Sequence, residues 1–213
     1  MRKILIVAVA LVACKKPEPH GEYVGTDSTP PATANRTVAV AQPKPAPPPP
    51  VLTPLEEVQT KKTFAEALAF TRPKFRDTQN EADTSALLFA AWMADKRAWA
   101  DIAALPETSV AKVLKDSDEE RGKRLCAGGT IVEIAKTKTD VAKLWSGGLS
   151  TMDGKIIRFV AVGSTGDLVE RSNARFCGVM TGRDSYSNSG GGTTHGVRVV
   201  GMFDLPENRK KAP

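Results

Sequence analysis

From Leu125 onward the apolar residues of this 213-residue chain stop recurring at helical spacing and begin to alternate with polar ones, a change that restricts the possible folds more than any other feature. β-Branched residues come in short runs parted by glycine and polar clusters, which predicts strands over about 125–136, 143–152, 155–163, 174–182 and 196–204. Within "TMDGK" (Thr151 to Lys155), Asp153-Gly154 falls between two alternating runs, a signal for a tight hairpin. Gly128-Gly129 inside the first run predicts a bulge or sharp bend. "STGDLVERSNA" (residues 164–174) reads as a short helix between the third and fourth runs.

Upstream the pattern is helical. Thr53-Pro54-Leu55-Glu56 forms a capping box with proline at the first helical position, where a missing N–H costs nothing. It predicts a helix over about 54–70, stopped at Arg72-Pro73 because the residue before proline is pushed out of the α region. A second helical stretch begins near Asp83, places Leu88, Trp92, Trp99 and Ala103 on nearly one face, and closes at Pro106. "TSVAKVLKD" predicts a third, leading to Asp118-Glu119-Glu120. Helices followed by strands imply an α+β chain, with a helical segment over 51–120, a β module over 121–205 and a basic tail over 206–213.

Three antiparallel strands, a helix and two further strands follow the order of an OB-fold, a five-stranded Greek-key β-barrel on which the helical segment would pack. "RGKRLCAGGTIVEI" (Arg121 to Ile134), followed later by "ARFCGVMTG" (Ala174 to Gly182), resembles the bacterial tRNA-anticodon-binding-like OB domains, some of which occur on exported proteins. The resemblance spans roughly 118–204, and nucleic-acid binding is not inherited with the fold. In such a barrel Cys126 and Cys177 fall on adjacent strands, where export would allow a disulfide. The alternative is two buried thiols packed as small hydrophobes.

The first residues state where the chain goes. Arg2 and Lys3 precede the uncharged run "ILIVAVALVA", which is too short to span a bilayer and reads as a targeting segment over 1–13. Leu11-Val12-Ala13-Cys14 resembles the bacterial lipoprotein signal. That resemblance implies a diacylglyceryl thioether on Cys14, cleavage before it and acylation of the new amine, so that several chains hold the protein to a membrane. Lys15 stands where enteric-type bacteria use Asp for inner-membrane retention, which favours the outer membrane of the cell envelope. Residues 15–50 hold 10 of the 15 prolines and almost no large apolar side chain. Such a stretch buries too little surface to offset its ordering entropy and reads, with the lipidated Cys14, as a disordered tether.

Charge divides unevenly along the chain. Residues 51–120 carry 9 basic and 13 acidic groups, whereas 121–213 carry 15 and 8, which raises an anionic partner as one possibility for the β module. The opposing loops and the sheet between them offer a candidate ligand face of Lys136, Lys138, Trp145, Arg158, Arg183, Tyr186 and His195, together with Phe159. Basic groups interleaved with aromatics are what a single-strand platform requires, although alternation also suits Trp145 and Phe159 to the core.

Enzyme signatures are poor. Ser109-Val110-Ala111-Lys112 matches S-x-x-K without S-D-N or K-T-G and reads as an ordinary helix turn. "SNSGGGTTHG" (Ser187 to Gly196) lies between two strands, unlike a phosphate cradle, and reads as a hairpin loop. With His195 the only histidine of the folded region, no zinc site is expected, and no cofactor is implied. The expectation is a non-enzymatic envelope lipoprotein, bound to the membrane through its lipid, whose OB-like domain binds a protein or glycan. The alternative is binding of an anionic polymer such as nucleic acid or lipopolysaccharide, with an enzyme third.

The anchor is testable directly. Cys14→Ser should block processing and release the protein from membranes, measured by fractionation with a lipid label. Unchanged labelling contradicts the lipoprotein signal.

Overall fold

In a computed structural model, residues 49–213 form one compact unit. The described residues are 52–79, 83–96, 99–137, 139, 141–187 and 190–210; the expected targeting segment, Cys14, the proline-rich stretch, Lys138 and the last three residues of the chain lie outside them.

Six strands form one sheet: β1 (Thr78–Gln79), β2 (Arg124–Lys136), β3 (Trp145–Thr151), β4 (Ile156–Ala161), β5 (Asn173–Ser187) and β6 (Thr193–Phe203). Their order is β1-β5-β2-β3-β4-β6, and β6 returns to pair with β5, so that β2 to β6 close a barrel. Only β4–β6 is parallel within it. Counted from β2, the cyclic order 1-2-3-5-4 is that of the OB-like Greek-key barrel, and the chain is α+β as expected. The sequence pattern missed β1, two residues that pair in parallel with Asp184 and Ser185 of β5.

β2 works on two flanks. Its first half pairs with β5 and its second with β3, and Gly129 and Thr130 pair with both. A side chain at Gly129 would meet the Ser150 carbonyl oxygen at 2.1 Å, so only glycine allows this approach. The bulge itself comes later, between Ile131 and Glu133. Cys126 lies opposite Cys177 across the β2–β5 pair, and the two form a disulfide that closes a sequence separation of 51.

Alternation sorts the side chains into two cores. Inside the barrel, Phe159, Phe176 and Phe203 meet with ring centroids 5.1 to 5.3 Å apart, surrounded by Leu125, Leu149, Ile157, Val197 and Val199. Val113 of α5 (Val110–Lys115) joins this cluster. Outside, Val160, Val179, Val200 and Met202 face the helices.

The helical segment covers that outer face with α1 (Pro54–Gln59), α2 (Phe64–Thr71), a 3₁₀ turn (Arg72–Lys74) and α3 (Thr84–Lys96). Phe64, Phe89 and Trp92 form an edge-and-stack cluster there, and the Trp92 indole donates to the Lys61 carbonyl at 2.9 Å. Burying each such ring contributes about 1.5–3 kcal/mol. The helix expected over 54–70 is two, because Thr63 and Glu66 form a second capping box that restarts the chain after Thr60.

Beyond Lys96 follow α4 (Trp99–Ala104), α5, α6 (Ser117–Glu120) and, at the end, α7 (Pro206–Arg209). On α4 Trp99 is half-buried against the same core and Ile102 is buried, while Ala103 is exposed, so the expected face reaches Trp99 but not Ala103. Ser109 caps α5 by accepting from the Lys112 N–H, which makes its S-x-x-K match an ordinary helix start.

Residues 164–174 are not the expected helix. Gly166 and Arg171 take φ of 50° and 70°, and Asn208 clamps the segment through the Ser164 N–H and carbonyl, each at 2.8 Å. The left-handed positions and the side-chain clamp replace helical backbone bonds with turns.

Asp77 ties the helical segment to the barrel. Its carboxylate accepts from the backbone N–H and Nε of Arg183, each at 2.8 Å, and from Ser117 and Arg121 at 2.9 Å. Burial pushes the carboxyl up, but the bonds from Arg183, Ser117 and Arg121 prevail and hold it down at about 2. A folded-state value below the unfolded one stabilises fully above about pH 4 and ceases to do so as pH falls through about 2. Asp77→Asn should therefore cost about 1.5 kcal/mol at neutral pH, after discounting for partial exposure, and flatten the stability profile between pH 4 and 2. Denaturant titrations across that range measure both effects, and an unchanged slope contradicts the assignment.

Candidate ligand-binding site

Where the helices leave the barrel uncovered, a cavity of about 430 Å³ opens over β3 and β4. This is the face through which OB-folds hold ligands, bounded by the β2–β3 connection and the β5–β6 turn. Ser146 of β3, Arg158 of β4, Asp184 and Tyr186 of β5, and Arg198 of β6 line it, and Asp83 and Thr137 add to its walls.

The floor is a row of charges. Arg158 interrupts "IIRFV" and Arg198 interrupts "VRVV", each flanked by residues that point into the barrel, so both guanidinium groups emerge on the outer surface. The parallel register places them directly opposite one another. Asp184, 4% exposed, offsets their repulsion: it bonds Arg198 at 2.6 Å and lies 3.7 Å from Arg158 Nε. Thr78 of β1 donates to the same carboxylate at 2.8 Å. Glu133 of β2 bonds Arg158 from the other side at 2.8 Å. Between Glu133 and Arg158 the register holds Gly148, which leaves the space across which the arginine reaches.

Removing Asp184 would leave two adjacent arginines without their buried counter-ion, a loss of about 3–5 kcal/mol when one partner of such a pair is deleted. With Asp83 and Asp184 against Arg158 and Arg198, the lining is formally neutral.

Three further polar groups shape the cavity. Asp83 is 7% exposed; its Oδ1 accepts from the Ser85 N–H at 2.9 Å and from the Ser85 hydroxyl, whereas Oδ2 is buried without a hydrogen-bond partner. Thr137 Oγ1 is likewise buried and unpartnered. Burial pushes the Tyr186 phenol up, aided by Asp184 and opposed by Arg158, so it keeps its proton and can both donate and accept.

Of the residues expected to form a ligand face, the structure brings together Arg158 and Tyr186, with Phe159 beneath them in the barrel core. Arg183 turns to Asp77 instead. Lys136 is exposed at the end of β2 opposite Trp145, which is half-buried against the barrel interior, and neither lines the cavity. Lys138 lies outside the described residues.

His195 pairs across the β5–β6 hairpin with Ser185, whose hydroxyl is 2.8 Å from Nδ1. These two occupy alternate positions to Asp184 and Tyr186 and so face away from the cavity. Among the described residues no carboxylate bonds the ring to complete a triad, and no cluster of three or more His, Cys, Asp or Glu suits a metal ion.

Asp83, Thr137, Ser146, Asp184 and Arg198 were not singled out by the sequence. Arg198 had a readable signal, a lone cation in an apolar alternating run that matches Arg158. No family model matches the chain, and a search of curated proteins finds no match.

Proposed function

We propose that this chain is a lipid-anchored protein of the cell envelope, favouring the outer membrane, whose OB-like barrel is a non-catalytic binding module for a protein or glycan. The observation that carries the reading is the cavity over β3 and β4, a preorganised polar site whose arginines are held by carboxylates of the same chain. The lipoprotein signal and the proline-rich stretch support presentation of this site away from a membrane surface.

The charge pattern weighs against an anionic polymer. Although 121–213 carries 15 basic and 8 acidic groups, Arg158 and Arg183, the arginines expected to meet such a ligand, bond Glu133 and Asp77. A polyanion would have to break those pairs and approach three carboxylates at Asp83, Asp184 and Glu133. The resemblance to tRNA-anticodon-binding-like domains therefore supports the architecture without its ligand class.

Photocrosslinking in intact cells tests the reading. A photoreactive residue at Ser146, in the cavity, should trap a partner or label envelope glycan, whereas one at the fully exposed Met152 of the β3–β4 turn should not. At physiological salt the protein should bind oligothymidylate and lipopolysaccharide weakly. Equal crosslinking at both positions, or tight polyanion binding that falls steeply with salt, contradicts the proposal.

A further inference from the structure

Building on the reading of this face as a binding site, we infer that its ligand is an uncharged saccharide, whose hydroxyls meet Asp83, Thr137 and Tyr186.

The cavity comes first. At about 430 Å³ it lies in the range of small-molecule pockets, about 300–1,000 Å³, and is a concave seat for a short run of sugar units rather than a flat protein interface.

Its polar groups then specify the guest. Asp83 Oδ2 is a buried acceptor without a hydrogen-bond partner among the described residues, a state that costs the fold and that a donor on a ligand relieves. Thr137 Oγ1 can donate and accept, and so can the Tyr186 hydroxyl, which has no hydrogen bond within the described residues. An acceptor-only group beside two groups of both kinds is matched by neighbouring hydroxyls, each of which also gives and takes. The Tyr186 ring adds an apolar surface beside that polar edge, suited to the C–H face of a sugar ring.

Charge completes the selection. The two arginines are already paired with Asp184 and Glu133, whereas Asp83 keeps one carboxylate oxygen without a partner among the described residues. A phosphate or carboxylate on the ligand would meet Asp83 without a free cation of the floor to receive it, so acidic glycans and nucleic acids are disfavoured at this seat.

Asp83→Asn is the decisive variant. Asparagine keeps the oxygen that serves Ser85 and replaces the unpartnered oxygen with a donor, so the helix start survives while the polarity offered to a ligand reverses. The mature lipidated protein in detergent micelles would be titrated calorimetrically with maltotetraose, cellotetraose, mannotetraose and tetra-N-acetylglucosamine, with tetragalacturonate and oligothymidylate as anionic comparators.

The inference expects binding of at least one neutral sugar, changing less than about twofold between about 50 and about 500 mM salt. Asp83→Asn should weaken it about tenfold without lowering the melting temperature, and Tyr186→Phe about fivefold. Preference for an anionic comparator, failure of every neutral sugar, or undiminished binding by both variants overturns it. If the sugars fail while Ser146 still crosslinks a protein selectively in cells, the saccharide assignment falls and the binding face stands; if Ser146 traps nothing either, both fall.

Discussion

The seam between β2 and β5 determines where every other part of the barrel lies. β5 is 15 residues long and pairs with β2, β6 and β1, whereas β2 passes from β5 to β3 across Gly129 and Thr130. Closing this seam removes the free edges that an open sheet of the same strands would expose. The Cys126–Cys177 bond staples it, and in the chain-entropy model a separation of 51 residues is worth about 4 kcal/mol. Closure also forces each strand to present one side outward. Where those outward residues are valines and Met202 they lie beneath the helical segment; where they are Arg158 and Arg198 they are left to form a site.

Both carboxylates that hold those arginines reach the outer face through an irregularity. Inward positions on β2 run through Leu125 and Ile131, and simple alternation would turn Glu133 inward as well; the bulge between Ile131 and Glu133 reverses the phase. The same occurs on β5. Phe176 and Met180 point inward, and the shift between Met180 and Gly182 turns Asp184 and Tyr186 outward, towards Arg198 and Arg158. One extra residue on each strand thus converts two positions of the interior pattern into parts of a polar floor.

This explains how far the sequence could be read. The five barrel runs, the α+β division, the strand order and the cysteine pairing follow from periodicity and from the adjacency that an OB order imposes. Arg158 was legible as a cation on the sheet and Tyr186 as a polar residue flanking the last loop. Asp184 was not, because a strand assumed to end near Gly182 excludes it and a bulge cannot be seen in alternation. Asp83 and Thr137 come from segments whose approach to the barrel depends on tertiary packing. The second capping box at Thr63 and Glu66 is a local signal present in the sequence, while the turn over 164–174 depends on Asn208, 44 positions away from Ser164. Local propensity alone could not supply that clamp.

The seam itself is the most direct test. Proteolysis of the protein without reductant, after alkylation under denaturing conditions, should yield one cross-linked pair of peptides, one containing Cys126 and the other Cys177, with neither thiol alkylated. Two alkylated cysteines, or either one joined to a different chain, would contradict the β2–β5 pairing and with it the placement of the site.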